Sequence, residues 1–387
     1  MAERFMYSVV AYGAMIADVG RTSSYARALE TNVTPDSVVL DIGTGPGILA
    51  LLACRAGAAK VYAVEPSDMI QVAREVAAAN GFADRIEFIQ AMTTDIELPE
   101  EVDGVVAEIH GVLPLFQKSV VSIVDARDRF LKPSGWIVPA RETLWAALVS
   151  SPSLADLFIN GWNTEYGFDF SIPCAKATNE WRSKSVNSGN LIVEPKCWAV
   201  LDYKTLQEIN AAGEISWRIE RSAVAHGVGV WFDTETCPGI GFSNSPCSNE
   251  KHVFGQAFFP WPRATELVTG DQVKVRFRAD FIEADYVWTW EACVTDGSSG
   301  QVKAEYRQSS FAGMLFSPER LRKRAHTFVA PELNEDSRID RRVLELMDEK
   351  RTLGEIADKI LAEFPSRFKD IYAALTRAGD LSDRYSK

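Results

Sequence analysis

Residues 38–65 read VVLDIGTGPGILALLACRAGAAKVYAVE, and their order decides the fold. VVLDIG (38–43) is a short apolar run closed by glycine, which predicts a buried strand. ILALLACRAG (48–57) has helical length and is stopped by Gly57. KVYAVE (60–65) predicts a second strand, so the stretch forms a βαβ unit with a glycine-rich turn after its first strand. The rhythm continues outward. MIQVAREVAAANG (69–81) predicts a helix closed by Asn80-Gly81, and RIEFIQ (85–90) and VDGVVAEI (102–109) predict further strands. From Val38 to about Pro139 the chain therefore predicts an α/β, Rossmann-like doubly wound parallel sheet.

The turn also carries chemistry. In LDIGTGPG (40–47), Gly43, Gly45 and Gly47 let the backbone turn tightly and approach a ligand closely. Ile48 stands where a dinucleotide motif would place its last glycine, and Asp41 precedes the loop, which weakens an NAD reading. Glu65 ends the second strand, where a carboxylate can accept both hydroxyls of an adenosine ribose. The combination favours S-adenosyl-L-methionine as cofactor over glycines that serve a tight turn alone.

After Pro139 the periodicity changes. In QVKVRFRAD (272–280), Val273, Val275, Phe277 and Ala279 alternate with polar residues, and Tyr286, Trp288 and Trp290 share one face of YVWTWE (286–291). This period of two predicts antiparallel strands, hence a β-rich sandwich or barrel over 141 to about 316, with the tryptophans as core. From about residue 333 the pattern is helical. Thr352 and Glu355 form a capping-box signature before Ile356, Ile360 and Phe364, and Ile339, Val343, Leu346 and Met347 make a similar stripe. These stripes read as the core of a small helical appendage.

Composition sets outer limits. A chain of 387 residues predicts two or three domains, and 47% apolar with 24% charged residues is ordinary globular composition. A net charge of −12 argues against a general nucleic-acid binder, which needs a basic stripe. The scattered cysteines and histidines form no zinc-spaced cluster and predict no metal. FMYSVVAYGAMI (5–16) lacks a basic flank and is too short to span a bilayer, so the expectation is a soluble, cytoplasmic protein without a membrane partner.

Further segments fall in a recognisable order: YGAMIADVGRTSSY (12–25), AEIHG (107–111), RDRFLKPSGWIVP (127–139), YGFDFS (166–171), GFSNSP (241–246) and KHVFGQ (251–256). With the glycine loop they resemble the protein arginine methyltransferases, class I S-adenosylmethionine-dependent enzymes, from about Tyr12 to about Val294. The resemblance implies a cofactor domain over 1–139 and a β-barrel substrate domain over 140–316. It also implies a homodimerisation arm near 153–175, leaving 317–387 as linker and appendage. It puts cofactor contacts on Met15 and Arg21 of an N-terminal helix, with the arginine pairing the methionine carboxylate. Thr94 stands where the family often has an adenine-contacting glutamate.

The same resemblance locates the departures. The family grips the substrate guanidinium with two glutamates on one loop; the first falls on Glu108 and the second on Gln117. Its Thr-His-Trp loop corresponds to residues 251–256, with His252 kept, Lys251 replacing the threonine, and the tryptophan lost or shifted to Phe254. A guanidinium is always charged and its lone pairs are delocalised, so carboxylates hold it and orient one nitrogen. Gln117 accepts a hydrogen bond but brings no charge. The chain thus reads as an atypical member methylating an arginine-type guanidino nitrogen on a cationic small molecule or peptide in preference to protein arginine. Methylation of another amine or hydroxyl, or a non-catalytic cofactor-binding scaffold, are the alternatives.

Overall fold

The computed structural model describes residues 7–162, 166–250, 252–319, 322, 330 and 332–386. They fall into two compact units, Met1–Met314 and Leu315–Lys387.

The first unit opens with helices α1 (Val9–Ile16) and α2 (Val19–Asn32). Asp18 separates them, because its carboxylate caps α2 by accepting the Arg21 N–H at 3.2 Å. The single N-terminal helix implied over 12–25 is therefore two. Strands β1 (Val38–Ile42), β2 (Lys60–Val64), β3 (Ile86–Ile89), β4 (Val102–Ala107) and β5 (Leu131–Val138) alternate with α3 (Ile48–Ala56), α4 (Met69–Ala79) and α5 (Ser119–Phe130). The sheet order is β3-β2-β1-β4-β5 with parallel neighbours. The order reverses between β1 and β4, so their carboxyl ends flank the crevice where such sheets bind ligands. Ile42 pairs with Ala107. The glycine loop and the loop carrying Glu108 thus emerge side by side.

The rest of this unit is antiparallel, with β6 (Arg141–Val149), β7 (Arg182–Lys184), β8 (Lys196–Asp202), β9 (Ala211–Arg218), β10 (Ala223–Cys237), β11 (Ile240–Ser243), β12 (Gln256–Leu267), β13 (Gln272–Ile282), β14 (Asp285–Thr295) and β15 (Val302–Ser309). One sheet runs β7-β12-β10-β6-β8, with β11 on β10; the other runs β15-β14-β13-β9. The expected alternation is present: Val273, Val275, Phe277 and Ala279 are buried between exposed Lys274, Arg276 and Arg278. Trp288 and Trp290 are core side chains, as expected. One continuous apolar core runs from Val39 and Val105 of the parallel sheet to Phe259 and Phe277 of the antiparallel ones. The parallel-plus-antiparallel architecture read from the sequence is thus the observed one.

Helices α6 (Pro152–Ile159) and α7 (Ser171–Ala177) occupy the implied arm and leave Leu157, Tyr166, Phe168 and Ile172 exposed. Residues 163–165 of that arm lie outside the described residues, as do Lys251 and, in the linker, 320–321, 323–329 and 331.

The second unit packs helices Glu335–Asp348, Leu353–Glu363 and Ile371–Tyr385 around Ile339, Val343, Leu346, Ile356, Ile360 and Leu381. The Thr352–Glu355 capping box forms as read. The last helix was not anticipated: Ala374 and Ala378 are small and weakly apolar, and Gly379 interrupts the pattern. No helix among the described residues is long and apolar enough to cross a membrane.

Candidate functional site

The crevice is built from the glycine loop upward. Gly43, Gly45 and Gly47 all have positive φ, at 69°, 52° and 93°. A Cβ on Gly43 would stand 2.2 Å from Ile109 Cγ2, and one on Gly45 would stand 2.9 Å from the Tyr12 ring. Conformation and space therefore both demand glycine here. Gly45 N–H donates to Glu65 Oε2 at 3.1 Å and Ser67 N–H to Oε1 at 2.9 Å, which fixes the carboxylate under the loop. Asp41 is fully buried and accepts the Thr44 hydroxyl at 2.5 Å. Burial pushes its pKa up to about 7 against the bonds from Thr44 and the Ala50 N–H. It braces the loop from beneath.

Helix α2 brings a cation to this crevice. It is fixed at its middle by Tyr25, whose hydroxyl donates to Ala107 O at 3.3 Å, and by Ser24, which donates to Gly241 O at 2.8 Å. Arg21 is buried, donates to Met15 O at 2.6 Å and forms an ion pair with Glu108 Oε2. Its Nε has no partner, and neither has Glu108 Oε1. Burial raises the Glu108 pKa and the Arg21 guanidinium pulls it back. Two buried polar atoms of opposite sign thus lack partners, in a loop whose next residue, Ile109, packs on Gly43. Such a place can take a ligand bearing both a carboxylate and a cation.

The remaining expected residues lie around this pair. His252 holds α2 from outside: Nδ1 is 2.9 Å from Asp18 Oδ1, and the Val253 N–H donates to Oδ2 at 2.8 Å. Burial alone would raise the Asp18 pKa, but these bonds and the Arg21 N–H hold it below the usual range. Phe254, not His252, packs on the crevice side, with its ring 6.0 Å from the Arg21 guanidinium and 5.2 Å from the His110 ring. Thr94 sits in the turn Thr93–Asp95 after β3 and donates to Asp95 at 3.2 Å. Gln117 is exposed at φ 44°, and its N–H donates to Asp285 Oδ1 at 2.8 Å. Among the described residues no hydrogen bond joins its side chain to Glu108.

Sequence reasoning missed two neighbours of Glu108. His110, in the same loop, is buried with Nδ1 3.8 Å from Glu108 Oε1 and Nε2 3.2 Å from Glu142 Oε1. Glu142 is wholly buried on β6, accepting from Tyr203 at 2.5 Å and Thr234 at 3.2 Å. Burial, then Arg21, pushes the His110 pKa down to about 3, and burial pushes Glu142 up to about 7. The ring is therefore neutral and the contact is not an ion pair, while the Glu142 carboxyl ionises only near neutrality. The available signal was Glu142 itself, a carboxylate in phase with buried Leu144, Ala146 and Leu148.

Comparison with known proteins bears on the family and the fold. Residues 20–140 match the family model described as ribosomal protein L11 methyltransferase (PrmA), and residues 140–289 match the arginine methyltransferase oligomerization subdomain. The probable protein arginine N-methyltransferase 6 of Arabidopsis thaliana is 35% identical over 244 residues, covering 61% of this chain and 55% of the relative. Protein arginine N-methyltransferase 1 of Schizosaccharomyces pombe is 34% identical over 256 residues, covering 63% of this chain and 74% of the relative. The chain thus spans little more than half the length of some curated relatives. Among solved structures, the Trypanosoma brucei PRMT1 enzyme–prozyme heterotetrameric complex with AdoHcy superposes with a TM-score of 0.70 at 25% identity, covering 77% of this chain and 96% of that one. Arabidopsis thaliana protein arginine methyltransferase 10 shares the fold at a TM-score of 0.68 and 24% identity, covering 78% and 97%. The chain belongs to the protein arginine methyltransferase family.

Proposed function

We propose that the protein is an S-adenosyl-L-methionine-dependent N-methyltransferase acting on an arginine-type guanidino nitrogen. One observation carries the reading: Arg21 joins Met15 to Glu108 beside the glycine loop, and Arg21 Nε and Glu108 Oε1 are left buried without hydrogen-bond partners. In this reading Arg21 takes the methionine carboxylate, Glu65 the ribose hydroxyls, and Met15, Asp41, Gly43, Gly45, Gly47 and Thr94 complete the cofactor site. The bound cofactor supplies an electrophilic methyl group. Glu108 then holds the guanidinium and turns one nitrogen toward that methyl, while Phe254 and His252 close and fix the wall. The Trypanosoma relative was solved with AdoHcy, which supports the cofactor assignment.

The acceptor is read from Gln117. Without a second charge on this loop, free arginine, a small guanidine or a peptide is favoured, although the relatives are named for protein arginine. A homodimer through the 153–175 arm follows from its exposed Leu157, Tyr166, Phe168 and Ile172. Methyl-labelled cofactor with a panel of free arginine, guanidines, peptides and proteins tests the whole reading. Label confined to non-guanidino groups would overturn it. Gln117→Glu should raise turnover of arginine acceptors by tightening the cation, by about 10-fold or more if the charge-assisted contact forms.

A further inference from the structure

Glu108 pairs with Arg21, His110 lies behind Glu108 and Glu142 behind His110, and the function above uses only the first of these. Glu142 faces no solvent, and His110 stands between it and Glu108 with neither ring nitrogen in hydrogen-bond alignment. Leaving both ring nitrogens of His110 buried and unsatisfied is costly, whereas an apolar side chain would fill the space without that cost. The neighbourhood also lacks the second loop charge, since Gln117 is neutral. Glu142 supplies a second carboxylate from the barrel strand instead.

We propose that His110 and Glu142 form a buried positioning and proton-accepting pair behind Glu108, taking up the proton that an acceptor nitrogen loses as it gains a methyl group. The proposal rests on the guanidino-methyltransferase reading. The nitrogen forms a bond to carbon from a sulfonium methyl donor and releases one proton to Glu108 Oε1. That proton passes to His110 Nδ1 while the proton on Nε2 moves to Oε1 of an ionised Glu142, which becomes the neutral acid, so the ring stays neutral throughout. Neutrality is required, because Arg21 from α2 faces the ring and opposes an imidazolium. The other ionisable groups near the pair include Asp18 and Tyr25 beside Arg21, Tyr7 beside Glu108, Glu108 on the same loop, and Tyr203 behind Glu142. Phe232 and Phe254 wall the ring at 4.9 and 5.2 Å and keep bulk water from short-circuiting the transfer. Tyr203 and Thr234 hold Glu142 in place through either protonation state.

The test uses the full chain and its Glu142→Gln, Glu142→Asp and His110→Gln variants. Nitrogen spectra of the imidazoles, taken without cofactor, should show His110 neutral and protonated on Nε2 at pH 8. Its shifts should follow a titration near neutrality that vanishes in Glu142→Gln. Steady-state profiles should show kcat falling about 100-fold in Glu142→Gln with KM within threefold, the acidic limb of kcat lost, and partial rescue by Glu142→Asp. An imidazole whose shifts ignore Glu142, or a kcat–pH profile unchanged in Glu142→Gln, overturns the pair. If the wild-type protein methylates no guanidine, the functional reading fails while the imidazole spectra still decide the His110–Glu142 coupling.

Discussion

At the residue scale, the site depends on one charge balance. Arg21→Ala would strand Glu108 as a buried carboxylate and should destabilise the fold by about 3–5 kcal/mol, read from urea unfolding. Adding Glu108→Gln to that variant should recover part of the loss, and AdoHcy binding by calorimetry should be weaker in both. Gln117 answers a different question. A non-glycine residue at φ 44° is strained, so Gln117→Gly should leave stability unchanged or raise it by about 0.5–1 kcal/mol. A marked loss of stability would mean that its side chain holds the loop. Glu108 is a candidate from its place at a strand end, and Gln117 only from the family resemblance. What the spacing did not give is that Gln117 is tied to β14 through its backbone while its side chain is exposed.

At the scale of elements, the β1–α3 turn is the unit that makes the crevice. Gly47 begins α3 at φ 93°, and a Cβ there would meet Ala73 at 3.3 Å. Gly47→Ala should therefore cost more than about 1 kcal/mol of stability and weaken AdoHcy binding. Asp41 under the same turn gives a pH signature. Its carboxyl is shifted from 3.8 to about 7 in the fold, so its share of stability is complete below pH 3.8 and is lost as pH rises through about 7. Asp41→Asn keeps an acceptor for Thr44 and should gain on the wild type between pH 5 and 8, by about 2–4 kcal/mol at the alkaline end. Urea midpoints at the two pH values check this, and equal differences would rule out a buried, raised Asp41. These elements were readable because glycine spacing and apolar runs are local. The break between α1 and α2 was not, since a capping aspartate inside a helix-length apolar pattern changes no periodicity.

At the scale of the molecule, the helical unit 335–385 has its own apolar centre. Leu346→Ala should lower its stability by about 2–5 kcal/mol, visible as an earlier calorimetric transition. In the first unit, the parallel and antiparallel sheets share one core, so the change of rhythm at Pro139 marks a change of sheet and not a break in packing. The sequence by itself determined the βαβ alternation, the glycine cradle, the acidic end of β2, the period-two strands and the capped helix after Thr352. Each follows from residues within a few positions of one another. Only the tertiary structure decided that Phe254 lines the crevice while His252 braces α2, and that Glu142 reaches His110 behind Glu108. Periodicity tells which face of a strand is buried, but which faces meet depends on sheet order and register, and those are set by packing between segments far apart in the chain.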